Sequence, residues 1–250
     1  MKITTSRYET ETVLNQYVLF HYGEDHDLLP YAPIGPKNSL HFPIRCVTEC
    51  LDLKDLPANA TALEIGCAVG RSSFELSKYC KHVLAIDQSH MFITAAKEMQ
   101  QTHELKYQII EEGTRKVERT AYLPPYANPK HVDFRCCNAM DLLHEKRKFD
   151  VVLTANVLCR VYDPKAFLNL FSSLVAKKGQ FILISPYSWL EEYTPKSHWL
   201  GNKKKPLEYI KDELHDYFEL QRYFDMPFLI REHFRKYEWG ISQASIWRRR

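Results

Sequence analysis

The segment Leu63-Glu64-Ile65-Gly66-Cys67-Ala68-Val69-Gly70-Arg71-Ser72-Ser73 joins a short β-prone run to a helix-prone one. Its small residues stand where a ligand-binding turn needs them. Gly66 suits a tight turn, and small residues at 68 and 70 let the backbone approach a ligand while the first amides of the following helix point into the gap. One strand later, Asp87 ends the run Val83-Leu84-Ala85-Ile86. A carboxylate placed there can accept hydrogen bonds from both hydroxyls of a ribose. Turn and carboxylate together describe a nucleoside pocket. A dinucleotide fingerprint would need G-x-G-x-x-G, yet counting from Gly66 meets Ala68 and then Arg71, so a pyrophosphate is disfavoured.

These residues need a scaffold of parallel strands joined by crossover helices. From residue 61 onward short β-rich runs alternate with helical ones, as that architecture requires. The expected strands are Ala62 to Ile65, His82 to Ile86, Val132 to Cys136, Val151 to Thr154 and Phe181 to Ile184. Between them lie expected helices over Arg71 to Lys78, Ser89 to about Thr102, and onward from Asp163, which can cap with Pro164 in the first turn until Gly179 stops it. A charged stretch with Pro124-Pro125 reads as a surface insertion over 104–130, and Leu207 to Leu214 as a further helix. Two runs near the end, Tyr217 to Tyr223 and Ile241 to Trp247, form an expected antiparallel edge. Residues 1–55 read as a helical N-terminal cap with Val13, Leu14, Tyr17 and Val18 on one face. Cys46 and Cys50, four apart on a helix, read as a metal or redox pair or as two small buried apolar residues. The whole, 1–250, is expected to be a single domain whose core is 56–250.

Composition bounds the remaining classes. The 250 residues carry 34 basic and 31 acidic side chains, a net charge of +3, which gives no bulk electrostatic case for nucleic acid. Apolar residues at 45% supply a sizeable core, and no apolar run approaches the ~20 residues of a membrane span. An N-terminus without a leader pattern and seven cysteines without a C-x-x-C point to a reducing, cytoplasmic setting.

The pattern E-x-G-x-A-x-G formed by Glu64, Gly66, Ala68 and Gly70, followed by Asp87, resembles motifs I and II of the class I S-adenosylmethionine-dependent methyltransferases. The resemblance implies an α/β, Rossmann-like sheet, mostly parallel with an antiparallel C-terminal strand and helices on both faces. It implies S-adenosylmethionine as cofactor and S-adenosylhomocysteine as product, held by Glu64, Gly66, Cys67, Ala68, Gly70, Asp87 and Gln88. Asn138-Ala139 stands where that family usually has Asp-Ala beside the adenine, and Asn156 stands near the methionine end.

Longer segments narrow the resemblance. Tyr8-Glu9-Thr10, Phe20-His21-Tyr22-Gly23, Phe42-Pro43-Ile44-Arg45-Cys46, Gly66 to Leu76, Ser185 to Glu192 and Pro227 to His233 are similar to the 4-mercaptohistidine N1-methyltransferase family of ovothiol biosynthesis. In many relatives this module follows an iron-dependent sulfoxide synthase, which makes such a module the implied upstream partner; no metal site is implied here. The implied acceptor is mercaptohistidine, a small zwitterion. Among the family-like segments, Arg45 and Arg231 are candidates for its carboxylate, Glu9 and Glu232 for its ammonium, and Tyr8, Tyr22, Tyr187 and Trp189 for its ring. His21, His233 and Tyr187 are the candidate catalytic residues. Two other readings remain open: an RNA methyltransferase, motivated by Lys203-Lys204-Lys205 and Arg248-Arg249-Arg250, and a catalytically silent domain that keeps the fold.

Overall fold

The computed structural model describes residues 7–250. In chain order its main elements are helices α1 (Glu11–Tyr22), α2 (Asp25–Leu28) and α3 (Phe42–Thr48), then β1 (Thr61–Ile65), α4 (Arg71–Leu76), β2 (His82–Asp87) and α5 (His90–Thr102). There follow β3 (Glu104–Ile110), β4 (Lys116–Tyr122), β5 (Val132–Cys136), β6 (Phe149–Ala155), α6 (Pro164–Leu174), β7 (Val175–Ser185), α7 (Pro206–Leu214), β8 (Phe218–His233) and β9 (Lys236–Arg249). Side-chain caps set several helix starts. Thr10 accepts the Val13 amide, Ser89 the Phe92 amide, and Asp163 the amides of Lys165 and Ala166 ahead of Pro164.

Seven strands form one sheet in the order β5-β2-β1-β6-β7-β9-β8. The first five are parallel, and β9 runs antiparallel to both of its neighbours. Alternation along the strands divides the interior into two cores, as pleating requires. Ala62, Val151, Leu153 and Ile182 pack with Phe74 of α4 and Phe92 and Met99 of α5. On the opposite face, Leu63, Ile65, Val152 and Phe181 pack with Phe167 and Phe171 of α6 and Ile210 of α7. Strand order reverses between β1 and β6, so a crevice opens beyond their carboxyl ends, where ligands bind in open α/β sheets.

Three expectations need correction. The stretch 104–130 is more than a surface insertion: β3 and β4 pair as a hairpin, and Leu105, Tyr107 and Ile109 are buried at alternate positions. It docks on α1, whose Asn15 accepts the Gln108 amide at 2.9 Å. Gly179 does not stop α6. The helix ends at Leu174 and β7 begins at once, with an irregular register against β6 and Lys178 at φ 63°. Gly179 belongs to that irregularity, because a Cβ there would lie 2.8 Å from the Ala176 carbonyl oxygen. The terminal strands are far longer than their apolar runs suggest. Pro227 sits inside β8, which the sheet tolerates because β8 is an edge strand.

Cys46 and Cys50 are both buried against the first core, and burial pushes the Cys50 thiol up to about 12. That environment suits packing residues. Among the described residues no helix is long and apolar enough to cross a membrane.

Candidate active site

A cavity of about 380 Å³ lies at the carboxyl ends of β1, β2 and β6, within the range of small-molecule sites. Its donor-side wall starts with the turn after β1. The amides of Gly66 and Cys67 both donate to the Ile86 carbonyl, at 2.8 and 3.0 Å, which ties the turn to β2. Gly66 has φ 79°, and a Cβ there would stand 2.2 Å from Val157 Cγ2, so only glycine fits without displacement. Ala68 takes φ 45°, a strained value that its amide redeems by donating to Asp87 Oδ2 at 2.9 Å. The Ser89 amide donates to Asp87 Oδ1, also at 2.9 Å. Burial pushes the Asp87 carboxyl up and these amides pull it back. The Gln88 backbone also hydrogen-bonds this carboxylate, and its remaining accepting capacity suits ribose hydroxyls.

Glu64 lies beneath the turn, buried, and accepts the hydroxyls of Ser72 and Ser73. Burial raises its carboxyl to about 7 against those two hydrogen bonds. Gln88, Ala139 and Asn156 also line the cavity. Asn156 sits at φ 60°, and its Oδ1 accepts the Ser242 hydroxyl at 2.8 Å.

Three donor-side residues act differently from expectation. Gly70 faces the protein: a Cβ there would lie 2.7 Å from the Phe134 ring, so it admits the start of α4 to the sheet rather than a ligand to the backbone. The Cys67 side chain is buried and its thiol points to the Ala68 carbonyl, 3.7 Å away. Asn138 lines the cavity, but its Oδ1 caps the following turn by accepting the Met140 amide at 2.9 Å. The adenine contact expected of that oxygen is shared with a structural one.

Another part of the wall is aromatic. Tyr8, Tyr17, His21, Phe92 and Tyr193 line it, with Tyr17 and Phe92 ring centroids 4.8 Å apart and Tyr17 stacked on His21 at 6.1 Å. His21 is 9% exposed, and its Nδ1 has no hydrogen-bond partner. Burial, with the Arg71 charge behind it, lowers the imidazole to about 3. The ring is therefore neutral at physiological pH and a weak base, so deprotonating an acceptor is outside its reach. It remains a hydrogen-bonding group in a residue that lines the cavity.

The two titrations have opposite signs. Unfolding lets His21 take up a proton below pH 6.5, so its contribution is intact above 6.5 and drains away as pH falls toward 3. Glu64 gains stability from protonation in the fold, present below pH 4.5 and lost as pH rises through about 7. Denaturant unfolding of His21→Leu should remove up to about 2–3 kcal/mol of the fall in stability between pH 6.5 and 4.5; an unchanged slope would mean that His21 titrates freely.

Several expected acceptor residues lie elsewhere. Arg45 is a staple of the fold, donating to Glu49 Oε1 at 2.7 Å and to the carbonyls of Asn38 and Pro227 at 2.7 and 2.9 Å. Arg231 is buried and donates to the Asp27 carbonyl; with Glu232 it borders a separate cavity of about 20 Å³ beside α1 and β3. Glu232 pairs with Lys236 at 2.7 Å, and His233 Nδ1 accepts the Arg235 amide. The Tyr22 hydroxyl donates to the Val69 carbonyl and the Tyr187 hydroxyl to Gln243. Glu9 caps α5 by accepting the His90 amide, and Trp189 packs on the second core. None of these eight side chains lines the large cavity, whereas Tyr8 and His21 do. Residues that sequence reasoning missed include Tyr17, taken as core packing, together with Phe92, Arg160 and Tyr193. The signal available for Arg160 was its place four residues beyond Asn156, in the loop that follows β6.

Residues 63–183 match the family model described as a methyltransferase domain. The fold is that of a class I methyltransferase. The chain resembles the N-methyltransferase NodS from Bradyrhizobium japonicum WM9 in complex with S-adenosylhomocysteine, at 14% identity and TM-score 0.51 over 96% of this chain and 99% of that one. It also resembles YcgJ from Bacillus subtilis, at 10% identity and TM-score 0.50 over 78% of this chain and 94% of that one. A third structure, of a protein that converts a disulfide bond into a thioacetal group during echinomycin biosynthesis, matches at 12% identity and TM-score 0.51 over 76% of each chain. No curated protein matches the sequence.

The site fits the cofactor of this fold, S-adenosylmethionine. Asp87 at the end of β2 suits a ribose, small Ala139 beside Met140 leaves an apolar slot for a purine, and the Gly66 turn admits the methionine arm.

Proposed function

We propose that the chain transfers a methyl group from S-adenosylmethionine to an imidazole nitrogen of 4-mercaptohistidine (5-mercaptohistidine in the other numbering), giving ovothiol. The observation that carries this reading is His21: a buried neutral imidazole, stacked on Tyr17, with Nδ1 unsatisfied at the wall of a methyltransferase cavity. An unmet buried polar atom costs about 1–3 kcal/mol, and an azole acceptor bearing an N–H would satisfy it. The flat aromatic walls of Tyr8, Tyr17 and Tyr193 suit a ring of that size.

S-adenosylmethionine, once bound, would supply an electrophilic sulfonium methyl to the ring nitrogen's lone pair, with S-adenosylhomocysteine as the leaving group. The protein's work is orientation, which can contribute up to roughly 7–11 kcal/mol. His21 holds the ring by hydrogen bonding and fixes which nitrogen carries its lone pair toward the methyl. The proton lost from the ring passes to solvent. The aromatic wall must also keep the softer thiolate away from the methyl, since sulfur would otherwise compete.

On this reading the whole chain works as one methyltransferase unit downstream of a sulfoxide synthase that installs the C–S bond, and its seven free cysteines suit a reducing cytoplasm. Incubation with labelled S-adenosylmethionine and a panel of histidine, mercaptohistidine and RNA, with the product located by mass spectrometry, tests it. Label on a ring nitrogen of mercaptohistidine is expected. Label on sulfur or on RNA would assign a different acceptor, and no label at all would favour a silent domain.

A further inference from the structure

Arg160 is the only arginine or lysine lining the cavity among the described residues. It ends the short turn Leu158–Arg160 just beyond β6 and is half-buried. Its Nη1 donates to the carbonyl oxygens of Cys159 and Ser188, at 2.9 and 2.5 Å, which fixes the plane of the guanidinium. That plane lies 5.6 Å from the Tyr193 ring centroid. Arg71 and Arg45 have carboxylate partners, Glu75 and Glu49, and buried Arg231 donates to the Asp27 carbonyl. Arg160 has no ion pair among the described residues; it hydrogen-bonds the Tyr8 phenol, and its other polar neighbours are Cys159 and the phenol of Tyr17. A cation held rigidly in a partly desolvated, neutral setting attracts an anion more strongly than one in water, and a guanidinium matches a carboxylate best.

We infer that Arg160 binds the α-carboxylate of the acceptor, in the place of the arginines that the sequence suggested. This rests on the amino-acid acceptor proposed above. The donor carries a carboxylate too, but Asp87 and the Gly66 turn fix the donor at the β1–β2 side, whereas Arg160 follows β6 and stands with Tyr8, Tyr17 and Tyr193. Arg160 thereby selects amino acids over their decarboxylated amines. Glu192, also on the cavity wall, is a candidate to meet the ammonium.

The test compares mercaptohistidine with mercaptohistamine, its decarboxylated counterpart, by calorimetry on protein saturated with S-adenosylhomocysteine. Losing a charged hydrogen-bonding pair is worth about 10–100-fold in affinity. Wild-type protein should prefer mercaptohistidine by at least about 10-fold. Arg160→Leu should abolish that preference by weakening mercaptohistidine alone, and Arg160→Lys should keep part of it. S-adenosylmethionine affinity should stay within about 3-fold in both variants, which also reports that they fold. Equal binding of the two ligands by wild-type protein, an equal loss on both in Arg160→Leu, or a loss confined to S-adenosylmethionine would overturn the assignment. A carboxylate preference without methylation of either ring would instead leave Arg160 in place and remove the proposed reaction. Failure of both ligands to bind would remove both.

Discussion

Replacing Asp87 with alanine should weaken S-adenosylmethionine binding by at least about 100-fold, because two hydrogen bonds to a charged acceptor contribute about 1.5–3 kcal/mol each. The carboxylate has a double task. It holds the amides of Ala68 and Ser89 at 2.9 Å, and its remaining accepting capacity is assigned to the ribose. Loss of the two amide bonds destabilises the free protein, but burial already raises this carboxyl, so removing a desolvated charge offsets part of that cost. The melting temperature of the free protein should therefore fall by only a few degrees, roughly 2–4 °C per kcal/mol for a chain of this size. Asp87→Asn keeps one acceptor oxygen and should fall between the two. Calorimetry separates these outcomes: unchanged affinity in Asp87→Ala would remove Asp87 from the ribose site.

The second large effect is expected at Gly66. An alanine there must adopt φ 79°, a left-handed value costing an L-residue about 1–2 kcal/mol, and its Cβ would meet Val157 Cγ2 at 2.2 Å. Val157 is β-branched and has few rotamers to escape into, so the turn or the loop after β6 must shift, at about 1–3 kcal/mol for overpacking. The combined cost should lower the melting temperature by roughly 5–15 °C. Because the turn and Val157 both line the cavity, cofactor affinity should fall as well. Val157→Ala in the same chain removes the clash but not the backbone strain, so partial recovery and clear non-additivity are expected. Gly66→Ala melting like the wild type would contradict the geometry of the turn.

The turn after β1 and the carboxylate ending β2 were legible because they depend on local patterns. Gly66, Ala68 and Asp87 are fixed by strand ends and a positive-φ turn, features that spacing alone displays. Gly70 was legible as a glycine but not in its purpose, because only the tertiary structure shows the Phe134 ring against it. The acceptor side was far less readable. Arg45 and Arg231 carry the right charge within family-like segments, yet both donate to backbone carbonyls of distant elements, Pro227 for one and Asp27 for the other, and neither lines the cavity. Contacts 182 and 204 residues apart leave no trace in local spacing. Arg160 and Tyr193 escaped notice for the converse reason: loops that follow strands carry no periodicity. Similarly, the β3–β4 hairpin was hidden by its charged outer face, although Leu105, Tyr107 and Ile109 show the alternation of a half-buried strand.

Crystals of the protein grown with S-adenosylhomocysteine test the central claim most directly. The ribose hydroxyls should lie within hydrogen-bonding distance of Asp87, the adenine beside Ala139, and the sulfur should face the wall formed by Tyr17 and His21. A ligand bound outside the cavity at the carboxyl ends of β1, β2 and β6, or with its ribose turned away from Asp87, would contradict it.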